Sequence, residues 1–261
     1  MIRIEQLKKF FPPFLNENPS FRKYMLKEYL QLLILDHLAT TPFIRKTTFI
    51  GGTSLRLVYG IDRFSEDLDF DCKDFSKDEF VAMTDAILMF LQRSGFKVET
   101  RDRANEKLQV FRRNLYFPEM LFEMGLSGYR EERFLIKVES QDQQFKYLPT
   151  MTNIKGCGMF FSFPVPPINV LCSMKISALL SRQKGRDFYD AMFLLSQTSP
   201  DYSFLMSKCG IGNLQMLKQS IAEVLTTIDL KQKSKDFEHL LFTKNNSSRI
   251  LSFAEFALQL G

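Results

Sequence analysis

The 261-residue chain has 45% hydrophobic and 25% charged residues, with a formal net charge of +5. It reads as an ordinary globular protein with a real core, built as one large domain or two smaller ones, whose modest charge permits a polyanionic partner without requiring it. Four scattered cysteines without a CxxC pair and only two histidines exclude a structural zinc site, and no apolar run is long enough to span a membrane. An acid at Glu5 and the lack of an early apolar core exclude a signal peptide, so the chain is expected to be soluble and cytoplasmic, its thiols reduced.

Residues 1 to about 45 pattern as helix. The stripe Tyr24, Leu26, Tyr29, Leu30, Leu33, Ile34 and Leu38 is the clearest case, ended before Pro42, with His37 read as a packing or surface residue. Thr47-Thr48-Phe49-Ile50 then runs into Gly51-Gly52, followed by a helix from Ser54 to Tyr59 that Gly60 ends. Asp67–Cys72 reads as a strand, and Ser76 is placed to cap a helix from Lys77 to Arg93 that stops at Ser94-Gly95. Further strands are expected at Phe96–Arg101, Leu108–Phe117 and Arg133–Ser140, with extended chain from Phe145 to Phe163. The run Pro164-Val165-Pro166-Pro167 marks the boundary between a domain at 1–163 and a helical domain at 164–261. Helices are expected there at 169–182, 186–196, 214–227 and 252–260, with Lys231 to Asn246 as a mobile polar surface segment.

Chemistry concentrates between Gly51 and Asp71. A glycine turn that opens a helix offers backbone N–H groups to a polyphosphate, and Thr53 or Ser54 can cap that helix or bond a phosphate. Alternation along the next strand puts Asp67, Asp69 and Asp71 on one face and Leu68, Phe70 and Cys72 on the other. Adjacent carboxylates of this kind suit Mg²⁺, which shares its coordination with substrate phosphates. Glu139, beside Lys137 on a later strand, is either a third carboxylate for that site or half of a surface ion pair. Lys175 lies in an apolar helix and shares a face with Leu171, Ala178 and Arg182, where it can snorkel or reach a phosphate. Asp187 is either a helix cap or a functional acid, and Arg186 and Asp190 have the spacing of a surface ion pair. Basic clusters stand at Arg101-Asp102-Arg103, at Arg112-Arg113 and from Arg182 through Lys184 to Arg186; the first two read as solvated faces.

In order and spacing, four blocks resemble the AbiEii toxin family, a branch of the DNA polymerase β-like nucleotidyltransferases. They are Gly51-Gly52-Thr53-Ser54-Leu55-Arg56-Leu57 with Tyr59-Gly60, Arg63-Phe64-Ser65-Glu66-Asp67-Leu68-Asp69-Phe70, Lys175-Ile176-Ser177-Ala178-Leu179, and Lys184-Gly185-Arg186-Asp187-Phe188-Tyr189-Asp190. The resemblance spans roughly Phe49 to Leu195. It implies an α+β fold, a mixed-sheet nucleotidyltransferase domain followed by a helical one. It also implies metal-dependent transfer of a nucleoside monophosphate from an NTP to an acceptor. By that resemblance Asp67 and Asp69 hold Mg²⁺ or Mn²⁺, while Gly51, Gly52, Thr53, Ser54 and Arg63 bind the nucleotide. Lys175 neutralises phosphate charge, and Asp187 completes the catalytic set. Glu139 is added as the third metal carboxylate that the superfamily usually has. The family implies a cognate antitoxin, and related toxins that modify the acceptor end of tRNA make RNA the implied acceptor, contacted by Arg182, Lys184 and Arg186. The same site acting on a protein or small molecule, and a non-catalytic nucleotide-binding protein, are the alternatives.

Overall fold

Three phenylalanines from separate strands, Phe49, Phe70 and Phe163, meet with ring centroids 6.0 to 6.2 Å apart, and the first half of the molecule is organised around them. The computed structural model describes residues 2–100 and 111–261. The Arg101-Asp102-Arg103 cluster, the last residue of the strand expected at Phe96–Arg101 and the start of the one expected at Leu108–Phe117 lie outside the described residues.

Two compact units form. The first comprises Met1–Gly60, Phe64–Gln144 and Thr150–Val165; the second comprises Ile61–Arg63, Phe145–Pro149 and Pro166–Gly261. The chain therefore enters the second unit twice, briefly, before it passes into it for good at Pro166.

In the first unit, β1 (Thr47–Ile50), β2 (Asp67–Cys72), β3 (Glu99–Thr100), β4 (Phe111–Tyr116) and β5 (Leu135–Gln141) make one sheet in the order β1-β2-β5-β4-β3. Only β2 and β5 pair in parallel; the other pairings are antiparallel, so the sheet is mixed. β6 (Thr150–Gly156) and β7 (Met159–Val165) form a separate hairpin turned at Cys157-Gly158, where both residues take positive φ. Helices α1 (Ile4–Lys8), α2 (Pro13–Asn16), α3 (Arg22–Ala39), α4 (Gly51–Tyr59), α5 (Lys77–Arg93) and α6 (Met120–Glu123) complete the unit.

Local chemistry explains the elements. Ser76 and Glu79 form a capping box at the start of α5, each side chain bonding the other's backbone N–H. Gly60, at φ 74°, closes α4 in the left-handed conformation that glycine adopts without strain. One face of the sheet buries Leu68, Phe70, Leu115, Ile136 and Val138. α5 lies over the β4 end of that face, with Phe80 against Phe111 and Arg113 bonded to Thr84 and Asp85. His37 stacks on Phe90 at 4.1 Å between ring centroids, the packing role expected of it. Of the strand expected at Phe96–Arg101, the described residues pair at Glu99–Thr100, while Phe96 and Val98 before it are buried core residues.

The second unit is helical: α7 (Ile168–Arg182), α8 (Gly185–Leu195), α9 (Tyr202–Cys209), α10 (Leu214–Leu225), α11 (Leu230–Lys235) and α12 (Phe253–Gln259). Two points correct the sequence reading. α9 was not expected; Asp201 caps it by accepting from the Phe204 N–H. The segment Lys231 to Asn246 is built structure, with α11 capped by Asp229 and Phe237, Leu240 and Leu241 buried. Its polar residues hid three apolar anchors spaced too irregularly to read as a helix face. Among the described residues, no helix is long and apolar enough to cross a membrane.

Candidate active site

Strand register decides which side chains share the polar face of the first unit's sheet. Asp69 on β2 is paired with Ile50 on β1 and with Glu139 on β5, and Glu139 is paired in turn with Arg112 on β4. One step along, Asp67 is paired with Lys137, and Lys137 with Asn114. Residues in register point to the same side, so Asp67, Asp69 and Glu139 stand together with Lys137 and Arg112 among them. Asp71, next on the same side, is buried and accepts from the Gln143 N–H at 2.9 Å, which ties the chain beyond β5 to β2.

The start of α4 lies against this face. Gly51 has φ 84°, and a Cβ on it would lie 2.1 Å from Asp69 Oδ2. Only glycine leaves room there, so the Asp69 carboxylate rests over the first residue of the helix, where the helix dipole favours negative charge. Ile50 at the N-cap has no side-chain acceptor for the first-turn N–H groups. Thr53 and Ser54 are both fully buried, with different occupations. The Thr53 hydroxyl donates to the Asp67 carbonyl and fastens α4 to β2. Ser54 Oγ has no hydrogen-bond partner among the described residues.

The cations on the face set its electrostatics. Lys137 Nζ lies 3.2 Å from Asp67 Oδ2 and 3.8 Å from Glu139 Oε1, and Arg112 Nε lies 2.5 Å from the same Glu139 oxygen. That oxygen is closed off from solvent and accepts no hydrogen bond among the described residues, so it is matched in charge but not in geometry. As the side chains stand, no three His, Cys, Asp or Glu residues among those described converge closely enough to hold a metal ion. The donor set nonetheless suits a hard divalent cation: carboxylate oxygens on adjacent strands, one of them with unused acceptor capacity.

Lys175, Arg63, Asp187 and Asp190 belong to the second unit. Asp190 is sealed: Arg63 grips it through Nε and Nη2, both at 2.7 Å, and Lys175 Nζ lies 2.9 Å from its Oδ2. Arg63 and Asp190 are each 1% exposed and Lys175 7%. Burial alone would raise the Asp190 pKa, but the guanidinium and ammonium together overcome that and hold it down at about 2. The surface pair expected between Arg186 and Asp190 is thus replaced by a buried triad with Arg63. Asp187 accepts from the Lys184 N–H at 3.1 Å and from Arg182 Nη2 at 2.5 Å, capping the start of α8.

Beside the triad, Asp62 accepts from Tyr189 Oη and from Asn246 Nδ2, both at 2.6 Å. Burial, then the Asp62 carboxylate, pushes the Tyr189 phenol well above its usual range. Sequence reasoning passed over Asp62 and the triad role of Asp190; it noted Lys137 only as a neighbour of Glu139 and Arg112 only as part of a solvated basic cluster, not as cations set among the carboxylates. A lone arginine or acid in a loop signals nothing until its partner, 127 residues away for Arg63 and Asp190, is known.

MenT4, a nucleotidyltransferase toxin from Mycobacterium tuberculosis H37Rv, shares the fold with a TM-score of 0.65 at 15% identity, over all of this chain and 91% of its own. JHP933 from Helicobacter pylori shares it at 0.55 and 19% identity, over 91% of each chain. No curated protein matches in sequence. The family model of the nucleotidyl transferase AbiEii toxin of type IV toxin–antitoxin systems matches residues 33–237. With most of its length matched, the chain belongs to the AbiEii nucleotidyltransferase toxin family.

Proposed function

We propose that this toxin transfers a nucleoside monophosphate from an NTP to an RNA acceptor, tRNA among the candidates, with a divalent metal held at Asp67, Asp69 and Glu139. The observation that carries the reading is the Asp69 carboxylate laid over Gly51 at the start of α4. A carboxylate oxygen of the kind that suits a hard cation, beside a helix N-terminus of the kind that suits phosphate, supports reading the two as halves of a metal–nucleotide site. When bound, Mg²⁺ or Mn²⁺ would neutralise phosphate charge and polarise the reacting phosphoryl group.

The chain's own residues supply the rest. The N–H groups of Gly51 and Gly52 would orient the polyphosphate, while Thr53 keeps helix and strand in register. Lys175 would contribute positive charge toward the nucleotide; Arg63 alone satisfies Asp190 through two bonds, which leaves the ammonium able to exchange partners. Arg63 would act in nucleotide binding through that grip, and Asp187 by fixing the loop of Arg182, Lys184 and Arg186. Those three basic residues would meet the acceptor's phosphates. Membership in a type IV system implies a cognate antitoxin and a cytoplasmic site of action.

Incubating the purified chain with each labelled NTP, Mg²⁺ and total RNA tests this. Label in an RNA band, lost with chelator and with Asp67→Asn, is the expected result. Label in protein or a small molecule would overturn the RNA acceptor, and no metal-dependent transfer at all would overturn the site.

A further inference from the structure

Carboxylates on neighbouring strands repel one another, and the first unit answers with two cations on the same face. They are not equivalent. Arg112 carries a planar, fixed charge and stands against Glu139. Lys137 is a point charge on a flexible stem and lies between two acids, Asp67 and Glu139. Among the described residues it makes one hydrogen bond there, to Asp67, although an ammonium has three donors. Side-chain exposures of 29% for Lys137, 26% for Asp67 and 21% for Glu139 place the bridge between bulk water and the core. The contact is electrostatic and loosely fitted, so a better cation can replace it.

We propose that Lys137 is a resident cation: it holds Asp67 and Glu139 together in the nucleotide-free chain and competes with the divalent metal for the same oxygens. The inference rests on the metal site proposed above. It assigns Lys137 a positioning role and sets an order of events. Metal binds the free chain weakly, and arrives most favourably with a nucleotide whose phosphates give the displaced ammonium a new anionic partner.

The test is Mn²⁺ binding to the whole chain without nucleotide, followed by the spin-resonance signal of the free ion at low salt. Removing a unit charge about 3–4 Å from a half-buried carboxylate should tighten Mn²⁺ about tenfold in Lys137→Met. Lys137→Arg, which keeps the charge, should stay within about twofold of wild type, and Asp67→Asn should lose the ion. Lys137→Gln carries the same expectation as Lys137→Met if the latter folds poorly by circular dichroism. Wild-type affinity in both uncharged variants, with Asp67→Asn still defective, would overturn the competition and leave the metal site standing. No Mn²⁺ binding by any variant, Lys137→Met included, would overturn the metal site and the inference with it.

Discussion

Both units set acids among cations, but they do so to opposite ends. On the sheet face of the first unit, Asp67, Glu139, Lys137 and Arg112 are partly exposed and loosely matched, and one carboxylate oxygen accepts no hydrogen bond among the described residues. In the second unit, Asp190 is closed off by Arg63 and Lys175 with good hydrogen-bond geometry on both of its oxygens. Loose pairing at the surface contributes little to stability and leaves groups available to a ligand. Tight pairing in the core orders the chain around it, and breaking it strands a charge. The same residue types thus make an open, loosely matched face in one place and a sealed triad in the other.

The comparison can be broken most forcefully at Asp190. Asp190→Ala leaves two buried cations without their carboxylate and should cost about 3–5 kcal/mol of stability, read as a large fall in the urea midpoint. Asp69→Asn should do the converse, lowering nucleotidyl transfer by on the order of 10²–10³-fold while the midpoint stays put. A variant at Asp69 that unfolded the chain would erase the contrast.

The glycines sharpen it further. A Cβ on Gly185 would lie 1.9 Å from the Lys233 carbonyl oxygen, so Gly185→Ala should destabilise by about 1–3 kcal/mol through a clash of α8 with α11. Gly51→Ala meets the Asp69 carboxylate instead and adds strain at positive φ, so transfer should fall along with a similar loss of stability.

The smallest effect is acid sensitivity. A folded-state pKa near 2 for Asp190, against an ordinary 3.8, means its stabilisation is present above pH 4 and is lost as pH falls toward 2. The amount is at most about 2 kcal/mol. Asp190→Asn should flatten that part of the acid-unfolding curve; an unchanged slope below pH 4 would mean that the triad is not ionised as drawn.

Much of the first unit was legible because its signals are local. The strand Asp67–Cys72 alternates, Ser76 and Glu79 announce α5, and Gly60 ends α4, each within a few residues. The candidate metal and phosphate groups stood out in the sequence for the same reason, lying within twenty residues of one another apart from Glu139 and Lys175. The second unit's polar core was not. Asp190 carried the spacing of a surface pair with Arg186, and nothing near Arg63 points to a partner in α8. Lys137 was visible only as a neighbour of Glu139, because its pairing with Asp67 depends on strand order: the parallel pairing of β5 with β2 sets it opposite Asp67.

The short visit of Ile61–Arg63 to the second unit has a consequence for biosynthesis. A nascent chain presents the guanidinium of Arg63 long before the ribosome has made Asp190, 127 residues later. Until then, a cation destined for full burial waits in water between α4 and β2. A fragment beginning at Pro166 would contain Asp190 and Lys175 but never that arginine. The helical half therefore cannot be released by cutting at its proline border, and toxin half-made on the ribosome lacks the acid that its arginine requires.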